Sequence, residues 1–126
     1  MAASNERPVL VTGASGRTGR RAIKALLARG IRLRAVVRRP QVGEELRALG
    51  VAEVAVGDLT DRTAMSRAMA GAGQVLHICP PMHPAEDTIA RSLIDIAGEA
   101  HVDRFVLYSV LHPLLAGVPH HDRKLQ

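Results

Sequence analysis

At 126 residues the chain is one domain at most, and its 47% hydrophobic content is enough to bury a core and excludes a disordered polymer. One Phe, one Tyr and no Trp make that core aliphatic, and a single cysteine, Cys79, excludes an internal disulfide and fits a reducing, cytoplasmic setting. The net charge of +5 is uneven: residues 1–50 carry 11 Arg or Lys against 3 Asp or Glu, and residues 51–126 carry 6 against 9.

Residues 1–7 place no apolar segment behind a basic one, so no signal peptide is expected. Val9–Thr12 is a continuous apolar run, as a strand buried on both faces requires. It breaks into Gly13-Ala14-Ser15-Gly16-Arg17-Thr18-Gly19 and opens a helix over Arg17–Arg29, with Ala22, Ile23, Leu26 and Leu27 at helical spacing and Gly30 as its stop. Leu33–Val37 is the second strand, Glu44–Leu49 a short helix ended by Gly50, and Ala52–Val56 the third strand. Thr60 or Asp61 caps a helix running to about Met69, and Gln74–Ile78 is the fourth strand. Pro84 is placed to open a helix reaching about Ala100, and Arg104–Tyr108 is the fifth strand. Pro113–Pro119 reads as a loop and His120–Gln126 as the start of another helix. No apolar stretch approaches the roughly 18 residues of a membrane span.

Strand and helix alternate five times, with crossovers long enough to join parallel strands. The expectation is a single α/β domain over residues 1–126, a Rossmann-like doubly wound sheet of about five strands in the order 3-2-1-4-5. A sixth strand and a substrate-covering segment are not in the sequence, so the chain is expected to be a fragment or a shortened relative of a longer protein.

The glycine turn is the strongest chemical signal. A strand, a turn with three glycines spaced three apart and a helix form the arrangement that seats a dinucleotide pyrophosphate. Gly13 allows the tight exit from the strand, Gly16 lets backbone approach a phosphate, and Gly19 permits close packing of helix on sheet. The N–H groups of Ser15 to Thr18 would face the pyrophosphate from a positive helix terminus. The second strand ends at Arg38 and Arg39, where an NAD site holds an acid for the ribose 2′-hydroxyl. A guanidinium suits a 2′-phosphate, which points to NADP rather than NAD, with Arg17 within reach of the same group. The alternative is that these arginines are solvated surface.

Asp58 after the third strand has two readings, an adenine contact with Leu59 packing on the ring, or a turn in which Asp58 and Asp61 serve backbone groups. Cys79, at the end of the fourth strand, is either a nucleophile or inert packing. The six histidines form no metal pattern with nearby acids, so no metal is expected. A basic first half is compatible with nucleic acid, but no aromatics interleave with the arginines, which argues against a single-stranded partner.

With these residues in view the chain resembles the NmrA-like group of atypical short-chain dehydrogenases/reductases. The resemblance rests on Val11–Gly19, Ala35–Pro40, Val56–Leu59, Arg104–Val110 and His120–Lys124, and covers about the N-terminal half of a typical member. It implies that Gly13, Gly16, Arg17, Thr18, Gly19, Arg38, Asp58 and Leu59 contact the dinucleotide, and the reading of the turn and of the second strand's end adds Ser15 and Arg39 to them. It also implies Ser109 at or beside a catalytic serine position and Lys124 as the lysine of a Tyr-x-x-x-Lys pair, in which the lysine lowers the tyrosine pKa. Here the residue four before Lys124 is His120, not Tyr, so the usual proton-transfer dyad is expected to be absent. The catalytic candidates are therefore Ser109, His120 and Lys124. The resemblance implies a reductase acting on a quinone or small carbonyl compound, or a non-catalytic NADP sensor acting through a protein partner.

Overall fold

The computed structural model describes residues 7–78 and 86–108. In chain order the elements are β1 (Val9–Val11), α1 (Arg17–Ala28), β2 (Leu33–Val37), α2 (Pro40–Leu49), β3 (Glu53–Val56), α3 (Arg62–Met69), β4 (Gln74–His77), α4 (Glu86–Glu99) and β5 (Arg104–Leu107). The sheet order is β3-β2-β1-β4-β5, and all four pairings are parallel. The expected order is therefore the observed one.

Alternation along the strands explains why they read as unbroken apolar runs. In β1, Leu10 points into the layer formed by Met65, Met69, Leu93 and Ile96 of α3 and α4. Its neighbour Val11 points into the opposite layer with Ile23 of α1 and Leu46 of α2. Both side chains are fully buried, so β1 has no solvent face on which to place a polar residue. With α1 and α2 on one face and α3 and α4 on the other, the domain is a three-layer α/β/α sandwich.

Two boundaries differ instructively from expectation. Helix α2 starts at Pro40, four residues before Glu44. Proline suits the first helical position, where its missing N–H costs nothing and its φ is already helical. Gly43 lies buried inside α2, where a Cβ would come 2.7 Å from Val54 Cγ1. It is the point of close approach of α2 to β3. Strand β1 ends at Val11 rather than Thr12, because Thr12 uses its side chain as well as its backbone to hold β4. Pro84 lies outside the described residues, as do residues 109–126.

Parallel pairing brings the C-terminal ends of all strands to one edge. Val11 sits opposite Ala35 of β2 and Leu76 of β4. The glycine turn after β1 and the Arg38-Arg39 pair after β2 thus emerge side by side on the edge where doubly wound sheets place their ligands.

Candidate functional site

The turn is built by backbone crowding that only glycine tolerates. Gly13 adopts φ +64°, and a Cβ there would lie 2.1 Å from the carbonyl oxygen of Ile78. A Cβ on Gly19 would lie 2.1 Å from the carbonyl oxygen of Gly13, so the first turn of α1 rests directly on the exit of β1. The Gly16 N–H donates to Gly13 O at 3.3 Å and closes the loop. Gly16 itself is different: its missing Cβ would meet nothing nearer than Gly13 O at 3.7 Å, and it faces open space.

Gly16 is also the N-cap of α1, with no side-chain cap and no acid in the first turn. The first intrahelical bond is Arg20 N–H to Gly16 O at 2.9 Å. The N–H groups of Arg17, Thr18 and Gly19 precede it and project from the positive end of the helix dipole. Ser15, Gly16, Arg17 and Thr18 are exposed, while Ala14 and Gly19 are buried. Arg20, which sequence reasoning did not single out, braces the turn from behind: its Nε donates to Ser15 O at 3.1 Å and its Nη2 to Glu45 Oε1 at 2.9 Å.

Beside the turn, Arg38 and Arg39 are both exposed at the end of β2. Arg38 Nη2 lies 3.7 Å from Asp58 Oδ2, with the two side chains 79% and 50% exposed. The other Asp58 oxygen accepts from Thr60 N–H at 2.8 Å and Thr60 Oγ1–H at 2.7 Å. Asp61, not Thr60, caps α3, accepting from Ala64 N–H at 3.1 Å. The turn-forming reading of Asp58 and Asp61 is thus satisfied, and Asp58 keeps one oxygen directed at Arg38. Leu59 is half-buried against the α3 and α4 layer. Gly57 N–H donates to Val37 O at 2.9 Å, which fixes the Asp58 turn next to the arginines.

Under the glycine turn lies a pair that sequence reading missed. Thr12 N–H donates to Leu76 O at 3.0 Å. Its Oγ1 accepts from Ile78 N–H at 2.8 Å and lies 2.8 Å from His77 Nδ1. Both residues are fully buried, and the His77 ring packs 6.2 Å from that of Phe105, tilted 47°. Tyr108 N–H donates to His77 O at 2.9 Å, extending the edge to β5. Cys79 and the catalytic candidates Ser109, His120 and Lys124 lie outside the described residues.

Among the described residues no group of three or more His, Cys, Asp or Glu is placed to hold a metal. No helix among them is long and apolar enough to cross a membrane. A groove of about 480 Å³ lies at the opposite, N-terminal ends of the strands, lined by Val9, Leu26, Ile31 and Val106 among others. Neither Arg38, Arg39 nor any residue of the turn lines it. The turn, by contrast, fits a dinucleotide in its own geometry: an open backbone cradle at Gly16, a helix N-terminus without a competing carboxylate, and arginines at the adjoining strand end.

Comparison with known proteins agrees with that geometry. A family model described as NAD(P)H-binding matches residues 13–121. A ketoreductase of Stigmatella aurantiaca acting on a farnesyl dihydroquinoline oxide is 32% identical over 118 residues, covering 86% of this chain and 35% of the relative. An NADPH-dependent quinone oxidoreductase of Escherichia coli, solved with NADPH, superposes with TM-score 0.79 at 25% identity, over 93% of this chain and 42% of that one. The Citrobacter triphenylmethane reductase, solved with NADP(H), superposes with TM-score 0.81 at 24% identity, over 94% and 42%. The chain therefore spans well under half the length of these proteins. It belongs to the NAD(P)H-binding family, as a Rossmann domain built like those of NmrA-like atypical short-chain dehydrogenases/reductases.

Proposed function

We propose that this domain binds NADP(H) in preference to NAD(H), with the pyrophosphate on the Gly13–Gly19 turn and the 2′-phosphate at Arg38 and Arg39. The observation that carries this reading is the end of β2. An NAD site places an acid on this strand end to accept from the ribose 2′-hydroxyl, and here two exposed guanidinium groups stand there instead. The Arg38–Asp58 contact at 3.7 Å supports it, since an ion pair so exposed is weak and yields readily to a dianionic phosphate. Arg17, at the head of α1, adds a third cation near the turn.

When bound, the cofactor supplies or accepts a hydride. The chain's own residues hold it: backbone N–H groups at the head of α1 take the pyrophosphate, the arginines take the 2′-phosphate, and Leu59 and Asp58 border the adenine. The acceptor class we favour is a quinone or small carbonyl compound in a cytoplasmic reductase system, in keeping with the chemistry of the relatives. Isothermal titration with NADPH and NADH tests the cofactor preference. Tighter NADPH binding, lost in large part on Arg38→Ala, is expected. Equal affinity for the two, or an NADH preference indifferent to Arg38→Ala, overturns it.

A second reading, a non-catalytic NADP sensor acting through a protein partner, is favoured by His120 at the position where the family's Tyr-x-x-x-Lys pair has its tyrosine. Without a phenol whose pKa is lowered by Lys124, proton delivery to a carbonyl lacks its usual donor. This chain alone is therefore expected to bind NADPH without steady oxidation of it across a panel of quinones and aldehydes. Sustained turnover with any of them overturns that expectation.

A further inference from the structure

We infer that Arg20, held in place by Glu45 of α2, is a positioning residue for the pyrophosphate. It stops the Ser15–Gly16 peptide from rotating and so keeps the N–H groups of the cradle facing the ligand. This inference rests on the nucleotide reading of the Gly13–Gly19 turn.

The middle of the turn is the part that crowding does not fix. Gly13 and Gly19 are pressed against backbone, but Ser15 and Gly16 between them are exposed. The Gly16 N–H reaches Gly13 O at 3.3 Å, longer than an ordinary amide–carbonyl bond. Glycine also lets the peptide before it rotate with little steric opposition. Such a rotation would aim a carbonyl oxygen at the phosphate's approach, where the cradle needs a donor.

Arg20 holds that peptide by its other end. Its Nε donates to Ser15 O at 3.1 Å, while its backbone N–H donates to Gly16 O at 2.9 Å. One residue therefore grips two successive carbonyls of the turn and draws both toward the first turn of α1. The Ser15–Gly16 peptide is tied at its N–H by Gly13 and at its oxygen by Arg20.

Glu45 keeps the guanidinium there. The Arg20 side chain is 34% exposed, and a single bond to a carbonyl would compete poorly with water. Its Nη2 donates to Glu45 Oε1 at 2.9 Å, so the planar fork is held at both tines. Glu45 is itself mounted on a firm support, two residues beyond the close approach of Gly43 to Val54. A lysine has no such fork and cannot bridge the two acceptors in one plane.

Positioning and simple attraction of phosphate by Arg20 predict opposite signs at Glu45. If Arg20 acts only as a cation, removing the neighbouring carboxylate tightens NADPH; if Arg20 must be held, it weakens NADPH. NADPH spans the turn and the arginine rim, whereas adenosine 2′-phosphate reaches only the rim. In isothermal titration Arg20→Ala is expected to weaken NADPH about tenfold and to leave adenosine 2′-phosphate within about twofold. Arg20→Lys, which keeps the charge, is expected to lose nearly as much. Glu45→Ala is expected to weaken NADPH about threefold, Glu45→Gln to recover most of that loss through its remaining acceptor, and the double alanine variant to bind no worse than Arg20→Ala. Unfolding midpoints are expected to stay near that of the wild type, since so exposed a pair adds little stability. Wild-type affinity in Arg20→Lys, tighter NADPH binding in Glu45→Ala, or equal weakening of both ligands with a lowered midpoint overturns the positioning role. A wild-type protein that binds neither ligand overturns the nucleotide reading itself, and this inference with it.

Discussion

Gly16 and Gly19 belong to one motif and have opposite reasons for being glycine. Gly19 is glycine for the fold: a Cβ there falls 2.1 Å from Gly13 O and 2.9 Å from Ala14 Cα, both backbone atoms that cannot step aside. On the proposed reading Gly16 is glycine for the ligand: its backbone is extended at φ −79° and ψ 172°, which any residue adopts, and its Cβ would meet nothing nearer than Gly13 O at 3.7 Å. Gly19→Ala is expected to cost about 2–4 kcal/mol of stability, read as a lowered denaturation midpoint. Gly16→Ala is expected to melt close to the wild type and to lose about tenfold or more in NADPH affinity, because the new methyl occupies the phosphate's approach. A stable Gly19→Ala, or a Gly16→Ala that binds normally, removes this division of labour.

At the scale of elements, the helices show how local signals are overruled by packing. Helix α2 accepts Gly43 in its interior, despite the usual cost of about 1 kcal/mol, because the close approach to Val54 leaves no room for a methyl. Helix α4 ends at Glu99 and is followed by His101 in the left-handed region, φ 59°. The His101 carbonyl accepts from Arg7 Nη2 at 2.9 Å, and Val102 N–H closes the helix end on Ala97 O at 3.0 Å. Neither bond uses the imidazole, while the Cβ penalty of this conformation remains. His101→Gly is therefore expected to raise stability by about 0.5–1 kcal/mol in chemical denaturation, the relief of strain exceeding the added freedom of the unfolded chain. A lower midpoint would show that the histidine side chain holds more than the geometry assigns to it.

For the whole molecule, folding gathers part of the charge asymmetry of the sequence about the turn. Helix α1 carries Arg17, Arg20, Arg21 and Lys24 and no acid, and Arg38 and Arg39 follow β2 at the same edge of the sheet. That distribution favours the approach of an anionic dinucleotide. The charges that do pair include a bracket between β2 and β3, where Arg34 Nε donates to Glu53 Oε1 at 2.7 Å and Arg32 Nη2 to Oε2 at 3.0 Å. The Arg34 bond, aided by Arg32 and opposed by partial burial, holds the Glu53 carboxyl below its ordinary value of 4.5. A carboxyl with a lowered folded pKa adds stability above the unfolded value and loses it as pH falls through the folded one. Acidification below about pH 4.5 is thus expected to destabilise the wild type more steeply than Glu53→Gln. At neutral pH the substitution is expected to cost only about 0.5–1 kcal/mol, since the pair is screened by solvent. Parallel acid profiles in thermal denaturation would count against this bracket.

The amino-acid order by itself determined the alternation of strands and helices, the sheet order and the place of the glycine turn. Each follows from short-range physics: buried parallel strands must be apolar on both faces, crossovers are right-handed, and glycine marks where backbone meets backbone. The identity of Arg38 and Arg39 at a strand end was legible for the same reason. The bond from Thr12 to His77, 65 residues away, was not, because a threonine after a strand and a histidine inside one carry no local sign that they meet. The inclusion of Gly43 in α2 and the bracing of the turn by Arg20 were equally hidden, since each is decided by contact with another element, Val54 of β3 in one case and Glu45 of α2 in the other. Periodicity reports which face of an element is buried; only the tertiary structure decides against what, and the positions of the groups that would hold the dinucleotide depend on that second fact.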